Sequence, residues 1–343
     1  MIRRISRSGG VPTSNFHHPV TIGPFTARGN IFLAPVAGYS DAAYRSICVD
    51  EGADLCYSEM VSSEALVRDH AKTKVLLERA DNETQYAIQL FGSNPEVMAR
   101  AAVALKPWEP SLIDVNSGCP VPKIIKSGAG SALMRDPPKM GRILSAMRAA
   151  MDAAGMSSVP LTVKFRLGWE ADSINYNEYA RVVEDAGVAA ITLHARTRAQ
   201  GYSGTADWSA IADLVSRARV PVFGSGDVFS GAAARRMIEE TGVAGVMIAR
   251  GAMGNPFIFQ EVRAALEGLP LPTLTRAHRI EVARHHLSLS AAFLGERSAC
   301  LEFRKHFCAY TKGEPQGAAL RAEAVHKTDI AGFEELFGRW AGS

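Results

Sequence analysis

The 343-residue sequence has no Cys-x-x-Cys pair, and its five cysteines (Cys48, Cys56, Cys119, Cys300 and Cys308) are odd in number and widely spaced. That pattern excludes a disulfide framework and a thiolate zinc site, so no metal is expected, and it fits a reducing cytoplasm. No apolar run approaches the ~20 residues that span a bilayer, which leads us to expect a soluble protein. One-signed charge is also missing. A net charge of +3 neither demands nor excludes nucleic acid, since an enzyme needs only one basic face. With 47% hydrophobic and 21% charged residues, extensive disorder is excluded. The stretch from Met1 to Pro12 carries Arg3, Arg4 and Arg7 without an acid. Lacking a sustained amphipathic pattern, it reads as a short disordered tail, placed at residues 1–20, and not as a transit peptide.

What the chain does have is a repeating alternation. Short apolar runs at Ile31–Ala34, Asp54–Tyr57, Ala87–Leu90, Leu112–Val115, Leu161–Phe165, Ala190–Leu193, Pro221–Phe223 and Gly245–Ile248 read as strands. Segments of helical composition lie between them, such as Pro95–Leu105, Pro137–Ala154, Asn177–Ala186, Trp208–Arg217 and Ala232–Glu240. Buried strands alternating with helices call for a parallel sheet, and eight such units suit a closed α/β structure, the (β/α)8 TIM barrel, over residues 21–266. An open doubly wound sheet is the competing architecture. Glu267–Pro272 contains two prolines and reads as a connector. Beyond it, residues 273–343 carry helical signals only, at Arg276–Leu294, Ala299–Tyr310 and Gly317–Phe337. The tail holds many bases, but its acids nearly balance them, so it reads as a solvated helical bundle or as a small RNA-gripping domain.

Barrel enzymes place their chemistry at the C-terminal ends of the strands. Those ends read Ala34-Pro-Val-Ala-Gly38, Gln89-Leu-Phe-Gly92, Asn116-Ser-Gly-Cys-Pro120, Lys164 with Arg166, His194-Ala-Arg-Thr-Arg198, Gly224-Ser-Gly-Asp227 and Ala249-Arg-Gly251. Seven of eight ends therefore carry Gly, Pro or a polar group. The glycine turns after strands seven and eight leave backbone N–H groups free for a phosphate, with Arg250 as a bidentate partner. Gln89 offers the mixed donor and acceptor that a flavin ring edge requires, and Lys164 offers positive charge near its pyrimidine edge. Cys119 lies between Gly118 and Pro120 in a rigid turn. A thiol of pKa ~8.5 is mostly protonated at neutral pH, which suits a general acid. Cys48 and Cys56 lie in apolar stretches and read as small buried hydrophobes.

Taken together, the blocks Ala34–Asp41, Gln89–Gly92, Asn116–Pro120, Gly128–Leu133, His194–Arg198 and Gly224–Asp227 resemble the tRNA-dihydrouridine synthases. The resemblance runs from about Thr21 to Asp329, and Arg304-Lys-His306 followed by Tyr310 is similar to the helical domain of the bacterial B-type branch. It implies FMN as cofactor, NADPH as reductant and a D-loop uridine of tRNA as substrate. The flavin contacts it implies are Pro35, Val36, Ala37, Gln89, Lys164, Ser225, Gly226, Asp227, Ala249 and Arg250, with His194 and Lys164 holding or polarising the uracil and flavin. Cys119 is implied as the proton donor, and Asn116 as orienting the base or supporting the cysteine loop. Lys123, Lys126, Arg166, Arg196 and Arg198 on the barrel, with Arg304 and Lys305 on the tail, are expected to meet the tRNA. Two positions depart from the family pattern: Ser225 stands where Asn is common, and Ala249 where Gly is common. Both are expected to act through backbone amides. The rivals are a flavin barrel acting on free pyrimidines, of the dihydroorotate type, and a non-catalytic tRNA-binding protein.

Overall fold

The computed structural model describes residues 15–342, so Arg3, Arg4 and Arg7 lie outside the described residues. A hairpin of β1 (Val20–Ile22) and β2 (Phe25–Ala27) precedes eight parallel strands. These are β3 (Ile31–Leu33), β4 (Leu55–Ser62), β5 (Tyr86–Phe91), β6 (Leu112–Ser117), β7 (Leu161–Arg166), β8 (Ala190–His194), β9 (Val222–Ser225) and β10 (Gly245–Ile248). They close in sequence order, with β10 pairing back onto β3 through Val246–Ile31 and Ile248–Leu33, so the structure is a (β/α)8 barrel and not an open sheet. The helices of the barrel are α1 (Ala42–Asp50), α2 (Ser63–Val67), α3 (Ala71–Val75), α4 (Pro95–Ala104), α5 (Pro122–Lys126), α6 (Pro137–Ala153), α7 (Tyr176–Asp185), α8 (Trp208–Arg217), α9 (Gly231–Thr241) and α10 (Ile258–Glu267). Their starts follow capping rules. Asn94, Asp136 and Ser230 each accept the backbone N–H of the residue three along, and prolines open α4 and α6.

The period of two along each strand divides the barrel into two cores. One parity, including Ile88, Leu90, Ile113, Val115, Val163, Phe165, Ile191 and Leu193, packs outward under the helices. The other begins at the lower end with Phe32, Ala87, Leu112, Ala190, Phe223 and Met247. The hairpin closes that end, adding Val20, Ile22 and Ala27 to the same cluster. Sequence reading did not foresee this plug, because two three-residue strands leave no periodic signal. Continuing the inward parity upward gives Gln89, Asp114, Thr162 and Thr192, then Asn116, Lys164, His194, Ser225 and Ala249. Simple alternation thus delivers the polar groups to the top of an apolar barrel.

Strand β4 runs five residues beyond the expected Tyr57, with a register shift between Tyr57 and Met60 against β5. Such a bulge re-aims side chains, and it brings Met60 into the upper cavity. Phe16 and His17, expected in the disordered tail, are tied to the barrel: Phe16 N donates to Leu266 O, and His17 bridges Asp54 (2.9 Å) and Glu267 (3.0 Å).

After the Gly268 cap and the proline connector come α11 (Arg276–Leu294), α12 (Glu296–Tyr310), α13 (Gly317–Ala324) and α14 (Ile330–Ala341). The single helix expected over 317–337 is therefore two. Asp329 starts the second by accepting Gly332 N at 2.7 Å, while Arg304 of α12 binds the Lys327 carbonyl through Nε (2.9 Å) and Nη2 (2.8 Å). These four helices share a core of Phe303, Phe307, Tyr310, Phe333, Phe337 and Trp340, which Ile47 of α1 and Phe257 join from the barrel. No helix among the described residues is long and apolar enough to cross a membrane.

Candidate active site

A cavity of about 440 Å³ opens at the C-terminal ends of the strands, within the usual range for ligand sites. Pro35, Val36, Ala37, Asn116, Cys119, Lys164, Arg166, His194, Ser225, Asp227, Ala249 and Arg250 all line it.

The Cys119 turn is fixed from three directions. Asn116 Oδ1 accepts the backbone N–H groups of Gly118 (3.1 Å) and Cys119 (2.9 Å). Ser131 holds the Cys119 carbonyl through its hydroxyl (2.9 Å) and its N–H (3.1 Å). Arg166 Nε donates to the Gly118 carbonyl at 2.7 Å. This explains the Gly128–Leu133 block. Gly130 sits at φ +60°, and a Cβ there would meet the Cys119 carbonyl oxygen at 2.9 Å, so only glycine lets Ser131 approach. Burial pushes the Cys119 thiol up from its ordinary pKa, outweighing the lowering by the Val121 backbone and Arg166, and so keeps it protonated.

Behind this turn runs a buried relay. Thr162 Oγ1 donates to Asp114 Oδ1 (2.6 Å), Gln89 Nε2 donates to Asp114 Oδ2 (2.6 Å), and Asn116 Nδ2 donates to Gln89 Oε1 (2.8 Å). Because Asp114 can only accept while ionised, it sets the Gln89 amide, which sets the Asn116 amide, which points its oxygen at the Cys119 turn. Gln89 is fully buried and is absent from the cavity wall, with both ends of its amide engaged inside the barrel. Burial raises the Asp114 pKa to about 6, against the lowering hydrogen bonds from Gln89 and Thr162.

Two basic groups, Lys164 and His194, share the wall without a hydrogen-bonded partner among the described residues. Burial, then the charge of Arg166, lowers Lys164 to about 8, leaving it mostly cationic at neutral pH. Burial and the cations Lys164, Arg166, Arg196 and Arg250 hold His194 well below its ordinary pKa, so its ring is neutral. Gly226, at φ +127°, packs against it, and a Cβ there would meet Ala206 Cβ at 2.8 Å and His194 Cδ2 at 3.3 Å.

The loops after β9 and β10 are joined by Asp227. Its carboxylate accepts Arg196 Nη2 (2.7 Å) and Ala206 N (2.8 Å) on one oxygen and Arg250 Nη2 (3.0 Å) on the other. The backbone N–H groups of Gly226, Asp227, Arg250 and Gly251 donate to no oxygen of the described residues, which leaves a cluster of donors beside the Arg250 guanidinium. Arg250 itself lies 4.6 Å from the Tyr202 ring centre and 5.3 Å from that of Phe229, both rings more than half exposed.

The structure does not gather every expected residue at the rim. Arg196 is buried on Asp227, and Arg166 bonds the carbonyls of Gly118, Thr197 and Gly201, so both stitch loops together. Arg304 holds the Lys327 carbonyl in the break between α13 and α14. Lys305 pairs with Glu302 at 2.5 Å and reaches toward Tyr39, 6.0 Å from its ring centre. Lys123 is exposed on α5, outside the cavity. Tyr39, Met60, Tyr202 and Phe229 also line the cavity and were not singled out. An aromatic inside a glycine-rich strand-end loop was the available signal for Tyr202, whereas the bulge hid Met60. Among the described residues no cluster of three or more His, Cys, Asp or Glu is placed to hold a metal.

Comparison with known proteins agrees with this geometry. The family described as "Dihydrouridine synthase (Dus)" matches residues 32–337. A probable tRNA-dihydrouridine synthase of Treponema pallidum is 50% identical over 323 residues, 92% of this chain and 94% of that protein. The tRNA-dihydrouridine synthase B of Xanthomonas campestris is 38% identical over 302 residues, 88% of this chain and 89% of that one. Among solved structures, an old yellow enzyme homologue from Zymomonas mobilis shares the fold at 13% identity with a TM-score of 0.51, covering 78% of this chain and 96% of its own. Given a match spanning nearly the whole chain, the protein belongs to the dihydrouridine synthase family.

Proposed function

We propose that the protein reduces uridine in the D-loop of tRNA to 5,6-dihydrouridine, using FMN and NADPH. The observation that carries this reading is Cys119, held by Asn116, Ser131 and Arg166 in the wall of a cavity that also presents Lys164 and the loops after β9 and β10. The residues suit a flavin phosphate. Free backbone N–H groups at Gly226, Asp227, Arg250 and Gly251 would hold it together with Arg250, and Pro35 to Ala37 and Ala249 would flank the ring. A flavin held by these residues and reduced by NADPH would supply hydride chemistry, toward C6 of the uracil.

The chain's own groups do the rest. A uridine has to leave its stack to reach the mouth of the barrel, and the mouth supplies Tyr202 and Phe229 as apolar walls. Cys119 Sγ–H then gives its proton to C5, and the thiolate regains one from solvent, so one hydride and one proton account for the two hydrogens gained. Lys164, cationic below about pH 8, balances negative charge that builds on the uracil oxygens or the flavin ring. His194, being neutral, serves as a hydrogen-bonding partner and not as a charge. Asn116 acts on the cysteine loop, because its amide is engaged by Gln89 and by the turn itself. Gln89 acts one step further back, as the positioning residue for Asn116.

The test is mass spectrometry of tRNA lacking dihydrouridine after incubation with the protein, FMN and NADPH. A gain of about two daltons on one D-loop uridine is the expected result. Turnover of free uracil or dihydroorotate, with tRNA unchanged, would transfer the site to free pyrimidines.

A further inference from the structure

We infer that a second RNA-contacting site lies on the barrel rim, where Arg135 and Arg198 stack on Trp169 and present their guanidinium edges to the phosphodiester backbone beside the target base. This rests on the tRNA reading above and concerns how the strand is held.

Trp169 opens the loop after β7, and its backbone is part of a short ladder. Arg198 N donates to Gly168 O and Ala199 N to Trp169 O, both at 2.9 Å, so the loops after β7 and β8 are tied together. The ladder begins beside Arg166, whose side chain reaches the Cys119 turn, so the stack is coupled to the site. Arg198 Cζ stands 4.4 Å from the Trp169 ring centre and Arg135 Cζ stands 5.0 Å from it. Arg135 comes from a different loop, ending the short turn that leads into α6. A guanidinium on an aromatic face keeps the edge of its N–H fork free of the ring and loses little freedom when it grips a phosphate.

Neither arginine has a carboxylate within ion-pair distance among the described residues, although Glu170 and Glu178 line the same hollow as Arg135 and Trp169. Lys123 and Lys126 on α5 and Lys139 at the start of α6 are likewise without an acidic partner among the described residues, and Lys139 lies against the turn at Gly128. The tail is more often paired, although Arg297 and Lys312 there have no acidic partner among the described residues. There Arg284, Lys305, Lys327 and Arg339 are each paired with a glutamate, and Arg304 holds a carbonyl. Five such cations, four between β6 and the start of α6 and one in the loop after β8, suit a polyanion better than they suit one phosphate group. Lys123 lies four residues after Cys119, on the helix that follows the Cys119 turn.

The experiment measures tRNA binding by the flavin-loaded full chain against KCl concentration, for wild type, R135Q, R198Q, the double variant and W169L. The double variant is expected to raise Kd about tenfold or more and to lower the slope of log Kd on log[KCl] by between about one and two, one for each phosphate no longer gripped. W169L keeps both charges, so it should weaken binding while leaving the slope near that of wild type. Should R198Q fold poorly, R135Q at its exposed position carries the same test. Wild-type affinity and slope in the double variant overturn the proposal. So does slowed flavin reduction by NADPH with unchanged tRNA binding, which would assign the cations to the reductant's phosphates. A wild type that binds tRNA with the expected slope, yet forms no dihydrouridine, removes the reaction and leaves the clamp standing.

Discussion

Replacing Gln89 by Met removes an amide from the barrel interior while nearly conserving volume, and so isolates the relay behind Cys119. Buried Asp114 Oδ2 loses its donor at 2.6 Å, and the part-buried Asn116 Nδ2 loses its acceptor at 2.8 Å and keeps only the Met60 sulfur at 3.8 Å. At about 1–3 kcal/mol for the buried carboxylate left short of a donor, and less for the amide that faces the cavity, the fold should lose about 1–4 kcal/mol near pH 8. The loss should depend on pH in a set direction. Asp114 already titrates at about 6, above its unfolded value, so its stabilising contribution is complete when protonated and fades as pH rises through 6. Without the Gln89 bond its pKa climbs further, so the variant goes on losing stability above pH 6 after the wild type has stopped. A pKa higher by one corresponds to about 1.4 kcal/mol, so the gap between the two proteins should be smaller by about that much at pH 5.5 than at pH 8. Urea unfolding at both pH values measures it. Single-turnover product formation should fall about a hundredfold as the Asn116 amide loses its orientation, because small misplacements at a reacting centre cost that much. The flavin should be retained. A destabilisation equal at both pH values, or a variant with wild-type turnover, would refute the relay.

Four further outcomes follow from the same geometry. Cys119→Ala should bind flavin as wild type does and lose at least about a hundredfold in dihydrouridine formed per minute, and full activity would remove the thiol from the reaction. Gly130→Ala forces a side chain at φ +60° against the Cys119 carbonyl, and should destabilise by about 1–2 kcal/mol and slow product formation, read by thermal unfolding and by mass spectrometry. Lys164 loses its charge as pH rises through about 8, so product formation should decline above that pH, and Lys164→Met should remove that limb from the pH profile. Phe307→Ala empties the tail core between Phe303, Phe333, Phe337 and Trp340 and should cost about 3–5 kcal/mol by urea unfolding, with tail helices melting first in hydrogen exchange.

The barrel was legible because its signal repeats: all eight strands begin within one residue of where the apolar runs place them, and the helix at Trp208–Arg217 matches residue for residue. The errors have physical causes. The hairpin at Val20–Ala27 is too short for periodicity, and the bulge in β4 interrupts the alternation that would have carried that strand to Met60. A break at Val325–Asp329 hid in a helix-forming stretch because the groups that stabilise it, Arg304 and the Asp329 cap, act from outside the local pattern or through backbone geometry. For the site, residue type showed which groups reach the strand ends but not where they point. Gln89 and Arg196 carry the expected chemistry, yet their partners, Asp114 and Asp227, are 25 and 31 residues away and draw them inward. The glycine of Gly130 was visible as part of a motif, and its reason, the close approach of Ser131 to Cys119, needed three dimensions.

The seam between β3 and β10 sets the order in which a nascent chain can become an enzyme. Ile31 waits for Val246 and Leu33 for Ile248, so the first barrel strand keeps one open edge while more than two hundred residues are synthesised. Until then the Pro35–Ala37 loop and the Ala249–Arg250 turn cannot meet, and the cavity does not exist. Pairing at such separation is slow to nucleate and leaves unpaired backbone groups available to other chains. A ribosome-stalled product ending before residue 245 should therefore be sticky and colourless, and the flavin should enter only as one of the last events of folding.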